Sequence, residues 1–233
     1  MQARPLIVCG VSDMQAIEDR CQQSLELHDR YADIVLTLPM PETDRISLAA
    51  CSVVLTGEHH ASIAFLARHR HFATAHALVR PLMECTLRAF WLCYVAPYPA
   101  VRNLIDRPSG ADLDKICRYM LRSKQEVLVS IAEAVLSNTQ LFHSFTHAGI
   151  QQLTRRAVGF TQKEVFALLH IADLFAMLSI ALAAEIFNDE RLHALREASG
   201  PAVVEAALMQ YENDETPGWK SKLPPFPDWN DPV

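Results

Sequence analysis

Residues 165–187 read VFALLHIADLFAMLSIALAAEIF, a run whose polar members are His170, Asp173, Ser179 and Glu185. Just before it stand Thr161 and Glu164. That spacing makes a capping box, in which hydroxyl and carboxylate each satisfy an orphan backbone N–H at a helix start. About 20 apolar residues could cross a bilayer. Two carboxylates would be expensive in lipid, and a helix that is apolar all round is otherwise the centre of a soluble bundle. The run is therefore read as a central core helix, and no membrane partner is expected.

Working outward, the rest of the chain supplies the helices that such a centre needs. Half of the 233 residues are hydrophobic and only seven are Gly, a balance suited to helix packing. Ser12 and Gln15 read as a capping box, after which Met14, Ile17, Cys21, Leu25, His28, Ala32 and Val35 recur at three- and four-residue steps. That helix ends before Pro39. A second, capped by Thr43 or Asp44, runs to about position 69, with Gly57 as a weak point. A third covers 72–96 and should kink at Pro81, which leaves the Ala77 carbonyl without its usual donor. Three prolines and Gly110 make 97–111 a long connection with one short helix at 100–105. Next come a helix over 112–136, bent near Ser123, and a short one over 139–148.

Two short helices are expected to close the fold, the second starting at Pro201 after Gly200. From position 212 the chain is rich in proline and reads as a non-helical tail carrying two tryptophans. The expectation is an all-α fold: a multi-helix bundle over 1–211, with long central helices, short terminal helices and a Pro-rich C-terminal tail over 212–233. The second and third helices and the run from Val165 form its centre. So much apolar surface favours a homodimer.

The formal net charge of −6 sets the chain as a whole against phosphate backbones, so nucleic-acid binding needs a local basic patch. The candidates are short: Arg68 and Arg70 among His59, His60, His69 and His71, and the pair Arg155 and Arg156. Six cysteines without a C-x-x-C pair lie mostly in apolar helical runs, where the thiol packs as a small hydrophobe. A reducing, cytoplasmic setting is expected, and residues 6–11 are too short an apolar run for a secretory signal. The phosphate-loop, dinucleotide and G-x-S-x-G signatures are absent from the sequence, which lowers the standing of those enzyme classes. No cofactor is implied.

Four groups of residues could carry chemistry. His76, Arg80, Glu84 and Arg88 are spaced four apart and share one helix face. They form either a solvated ladder of ion pairs or the wall of a groove, in which the two guanidinium forks hold a carboxylate or phosphate and Glu84 orients them. His143 and His147, also four apart, could ligate a metal from one face. The zincin glutamate is replaced by Ser144, however, so no metal site is assigned unless distant groups such as Glu84 converge. A histidine there that hydrogen-bonds Glu84 or Asp173 is the plainer reading. His170 and Asp173 lie on the central helix and must find partners, as satisfied core groups or as a ligand site. Glu190 and His193 make one E-x-x-H, half of what a di-iron bundle requires.

The segment Ala77-Leu78-Val79-Arg80-Pro81-Leu82-Met83-Glu84, with Arg88, Trp91 and residues 144–156, resembles an uncharacterised bacterial helical family that looks HEPN-like. The resemblance spans roughly 45–190 and implies Arg80, Glu84 and His147 as site residues. HEPN ribonucleases carry an arginine and a histidine separated by four to six residues. Arg70 and His76 match that spacing here, but early in the chain, where the HEPN motif belongs late. The hypothesis for function is a HEPN-like cytoplasmic protein of bacterial stress or phage-defence type that binds or cleaves RNA or a nucleotide-like anion near Arg80, Glu84 and His147. In cleavage His147 would be general acid/base, with Arg80 stabilising the phosphorane. Two alternatives stay open: a non-catalytic oligomeric module or toxin-neutralising protein partner, and a metal-dependent bundle enzyme.

Overall fold

A computed structural model describes residues 11–106, 113–146 and 159–212, and their side chains except at 11–13, 138–146, 208 and 210–212. Among the described residues there are nine helical segments and no strand. They are α1 (Val11–Val35), α2 (Asp44–Arg68), α3 (Phe72–Ala77), α4 (Val79–Tyr94), α5 (Tyr98–Asp106), α6 (Leu113–Met120), α7 (Glu126–Thr146), α8 (Gln162–Phe187) and α9 (Glu190–Glu212). The protein is an all-α, multi-helix fold.

α8 is the buried spine that its sequence promises. Its capping box forms in full: Glu164 N–H donates to Thr161 Oγ1 at 3.3 Å, and Thr161 N–H donates to Glu164 Oε2 at 2.9 Å. It is the one described helix long and apolar enough to cross a membrane, and two thirds of its most apolar stretch is buried inside the bundle. α1, α2, α4 and α9 all pack on it. It ends at Asn188, which takes the left-handed conformation (φ 48°) that asparagine tolerates better than most residues.

Three boundaries differ from the sequence reading. The helix expected over 112–136 is two, α6 and α7, because Ser123 Oγ accepts the Gln125 N–H at 3.1 Å and closes a turn there. The short helix expected over 139–148 is the end of α7, which continues through to Thr146. The break expected at Pro201 is absent: α9 runs unbroken from Glu190 to Glu212 with Pro201 inside it. Losing one backbone bond costs ~3 kcal/mol in an isolated helix. Here packing along α8 offsets it, and a Cβ on Gly200 would sit 3.6 Å from Met177 Cε. The kink at Pro81 does occur, as a one-residue interruption at Leu78 beside the carbonyl that the proline deprives of a donor.

The α2–α3 junction is a Schellman turn, with His71 N–H bonded to the Leu66 carbonyl at 2.8 Å and Arg70 N–H to that of Ala67 at 3.0 Å. Arg70 occupies the left-handed position at φ 64°. The core divides into two apolar clusters. One gathers Ile17, Cys21, Ile63, Phe72, Leu82 and Leu169 around the start of α8. The other gathers Tyr31, Val53, Leu87, Trp91, Ile116 and Ile180 around its end.

Candidate functional site

A polar belt separates the two apolar clusters. On α8 the first cluster ends at Ala172 and the second begins at Met177, with Asp173 between them. On α2, His60 lies between Val53 and Ile63; on α1, Ser24 lies between Cys21 and Leu27, and Arg20 reaches the belt from beside Cys21, within the span of the first cluster. These residues meet. Asp173 accepts from Arg20 Nη2 through Oδ2, and from His60 Nε2 through Oδ1 at 2.7 Å. Arg20 Nη1 donates to Ser24 Oγ at 2.9 Å. The side chains of His60, Asp173 and Arg20 are 1%, 4% and 12% exposed.

Burial alone would push the Asp173 carboxyl up. The His60 hydrogen bond and charge, together with the Arg20 guanidinium, outweigh burial and hold it below the usual carboxylate range. Burial raises the adjacent Cys21 thiol to about 11 despite Arg20, so it is not a nucleophile at neutral pH. His170, one turn from Asp173, is pushed down to about 4 by burial and then by Arg20. Its Nδ1 is sheltered without a hydrogen bond. A closed triad of this kind holds three helices in axial register, because a slip of one turn would leave each member unpaired among apolar side chains.

The row His76, Arg80, Glu84 and Arg88 stands apart from that belt. All four side chains are half-buried on α3 and α4. Arg80 Nε donates to Glu84 Oε1 at 2.7 Å, with 19% and 30% of the two side chains exposed. His76 Nδ1 donates to the Phe72 carbonyl at 2.8 Å, and its ring lies 4.9 Å from that of Phe160. Arg88 Nε is out of solvent and has no hydrogen-bond acceptor. The row is thus a margin of the bundle, between core and open surface.

The partners that Asp173 required are Arg20 and His60, neither of which the sequence singled out as a site residue, and it is not joined to the Arg80 row. His147 lies outside the described residues, as do Arg155, Arg156 and the side chain of His143. Among the described residues no three His, Cys, Asp or Glu side chains gather as a metal site would require. Glu190 and His193 are on the first turn of α9, His60 is core, and Arg68 is exposed and donates to Gln22 Oε1 at 3.1 Å.

No curated protein and no solved structure matches the chain significantly. A model of a family of unknown function, DUF6988, matches residues 51–199. That span includes His60, Asp173 and the whole Arg80 row, and begins after the helix that carries Arg20. With most of its length matched, the chain belongs to the DUF6988 family.

Proposed function

We propose that the protein is a HEPN-like bacterial, cytoplasmic protein of stress or phage-defence type that binds the phosphate of an RNA or nucleotide along the Arg80 row. The supporting observation is Arg88, whose Nε is withdrawn from water with no acceptor. A guanidinium in that position is incomplete, because a desolvated charged donor without an acceptor costs more than an exposed one. It lies two turns from Arg80 on the same face, and Glu84 between them fixes one guanidinium by a 2.7 Å bond. Arginine forks placed this way suit phosphate oxygens. If the bound RNA is cut, His147 is the general acid/base and Arg80 the group that stabilises developing charge.

The test is binding and cleavage of a fluorescent single-stranded RNA by the full chain, compared with Arg80→Ala, Arg88→Ala and His147→Ala, with circular dichroism as a control for folding. Loss of one phosphate contact should weaken binding about tenfold and make the log–log salt dependence shallower by ~0.7. His147→Ala should abolish cleavage and spare binding. Wild type that neither binds nor cleaves, or binding unaltered in both arginine variants, overturns the proposal. The rival reading, a non-catalytic interaction module, is favoured by the Arg20–Asp173–His60 belt, whose groups satisfy one another deep inside the bundle.

A further inference from the structure

α6 is fixed by one face and charged on the other. Leu113, Ile116, Cys117 and Met120 are buried in the apolar cluster around the end of α8, so the helix is not free to turn on its axis. Its open side presents Lys115 and Arg118, and the turn that follows presents Arg122 and Lys124, all exposed. Backbone bonds hold that turn: Arg122 N–H donates to the Tyr119 carbonyl at 3.2 Å, and Ser123 N–H to that of Met120 at 2.9 Å. Residues 115–125 thus carry four cations and no carboxylate, with Asp114 and Glu126 at the borders, in a chain of net charge −6. Elsewhere Arg20, Arg80, Arg102, Arg191 and Arg196 each hold a carboxylate. Among the described residues none of the four ridge cations does, and Arg118 Nε donates instead to the Asp114 carbonyl at 3.1 Å.

The ridge adjoins the Arg80 row. Trp91 follows Arg88 by one turn of α4, and its ring centre lies 6.3 Å from that of Tyr119, which stands between Arg118 and Arg122 in α6. An acidic chain attracts a polyanion only where cations gather locally without carboxylate partners. Lys115 and Arg122 are seven residues apart, ~10 Å along a helix. That is too far to share one phosphate and suits successive phosphates of one strand. We infer that the ridge carries an RNA strand onward from the Arg80 row, with Lys115, Arg118, Arg122 and Lys124 meeting its backbone. The inference rests on the anion-binding reading of that row. Contacts of this kind position a strand without reading its bases.

The test is binding of a fluorescent single-stranded RNA by the full chain over a range of salt, with the triple variant Lys115→Gln, Arg118→Gln, Arg122→Gln beside Arg80→Ala and Arg88→Ala. The three ridge side chains are exposed, so the circular dichroism spectrum should stay that of wild type. Loss of three phosphate contacts should weaken binding ~10-fold or more at low salt and make the log–log salt dependence shallower by ~2. A second triple variant, Lys115→Arg, Arg118→Lys, Arg122→Lys, keeps every charge and should follow wild type. A neutral triple variant with the affinity and salt slope of wild type overturns the inference, and the Arg80 row then stands or falls on its own two variants. A charge-keeping variant as weak as the neutral one also overturns it, since the ridge would then act through shape. Loss confined to the neutral triple variant overturns the row and leaves the ridge as the RNA site. Wild type that binds no RNA overturns both.

Discussion

Two carboxylates of this protein each hold an arginine, and they do so in opposite surroundings. Asp173 sits between two apolar clusters and joins Arg20 on α1 to His60 on α2, with about 4% of its side chain exposed. Glu84 holds Arg80 one turn away on the same helix, with 30% exposed. An exposed i,i+4 pair is worth a few tenths of a kcal/mol because water would solvate either partner alone. A buried pair is different: its net worth against apolar residues is small, but removal of one member leaves the other charged and dry. Burial, more than bond length, therefore decides what each carboxylate does.

The largest effect should follow Asp173→Ala. It strands Arg20 and His60 in the core at a cost of ~3–5 kcal/mol, read as a fall in the urea midpoint with the slope retained. A cost below ~1 kcal/mol would mean that the belt relaxes to water and is no lock. Next comes Gly57→Ala, where the comparison sharpens from charge to shape. A Cβ there would stand 2.9 Å from Tyr31 Cε1, and Tyr31 is a core ring at 3% exposure. The overpacking should cost ~1–3 kcal/mol, although alanine is the better helix former. A stabilised variant would show that α1 and α2 are free to part.

His170 gives the belt a pH dependence. Its unfolded value is 6.5 and its folded value about 4. Between those pH values the unfolded chain takes a proton that the folded chain refuses, so stability is full above 6.5 and is lost as pH falls toward 4. Burial lowers His28 and His59 in the same direction. Asp173 is lowered from 3.8, so its contribution stands throughout that window and is lost only at more acid pH. His170→Phe should flatten, without abolishing, the slope of unfolding free energy between pH 6.5 and 4. A slope equal to that of wild type would assign it to other groups.

The sequence displays the helices well because their apolar residues recur at helical steps, and α8 with its capping box is plain from residues 161–187. Where helices end is less legible, since the deciding bonds are tertiary or belong to one hydroxyl. Ser123 breaks a helix that periodicity would continue, whereas Pro201 fails to break one that α8 supports. The belt was half legible: Asp173 on an apolar helix demanded a cation. Arg20 is not legible because it sits one position off the apolar stripe of α1, and the periodicity in the sequence runs through Leu25, whereas the buried residues are Ser24 and Leu27. His60 was hidden beside His59, as adjacent residues on a helix face different ways and only packing decides which is inside.

The smallest effect, and the one that closes the comparison, is Glu84→Ala. It removes an ion pair as short as that of Asp173 with His60, each at 2.7 Å, yet water reaches both partners. The expected loss is no more than ~1 kcal/mol, part of it returned by the higher helix propensity of alanine. Raised salt should narrow the difference between variant and wild type, because screening weakens exposed pairs and spares buried ones. Asp173→Ala should keep its deficit at the same salt. If Glu84→Ala were as damaging as Asp173→Ala, and as indifferent to salt, the Arg80 row would be part of the core lock. The Arg80–Glu84 pair would then be structural, and the anion-binding reading would rest on Arg88 alone.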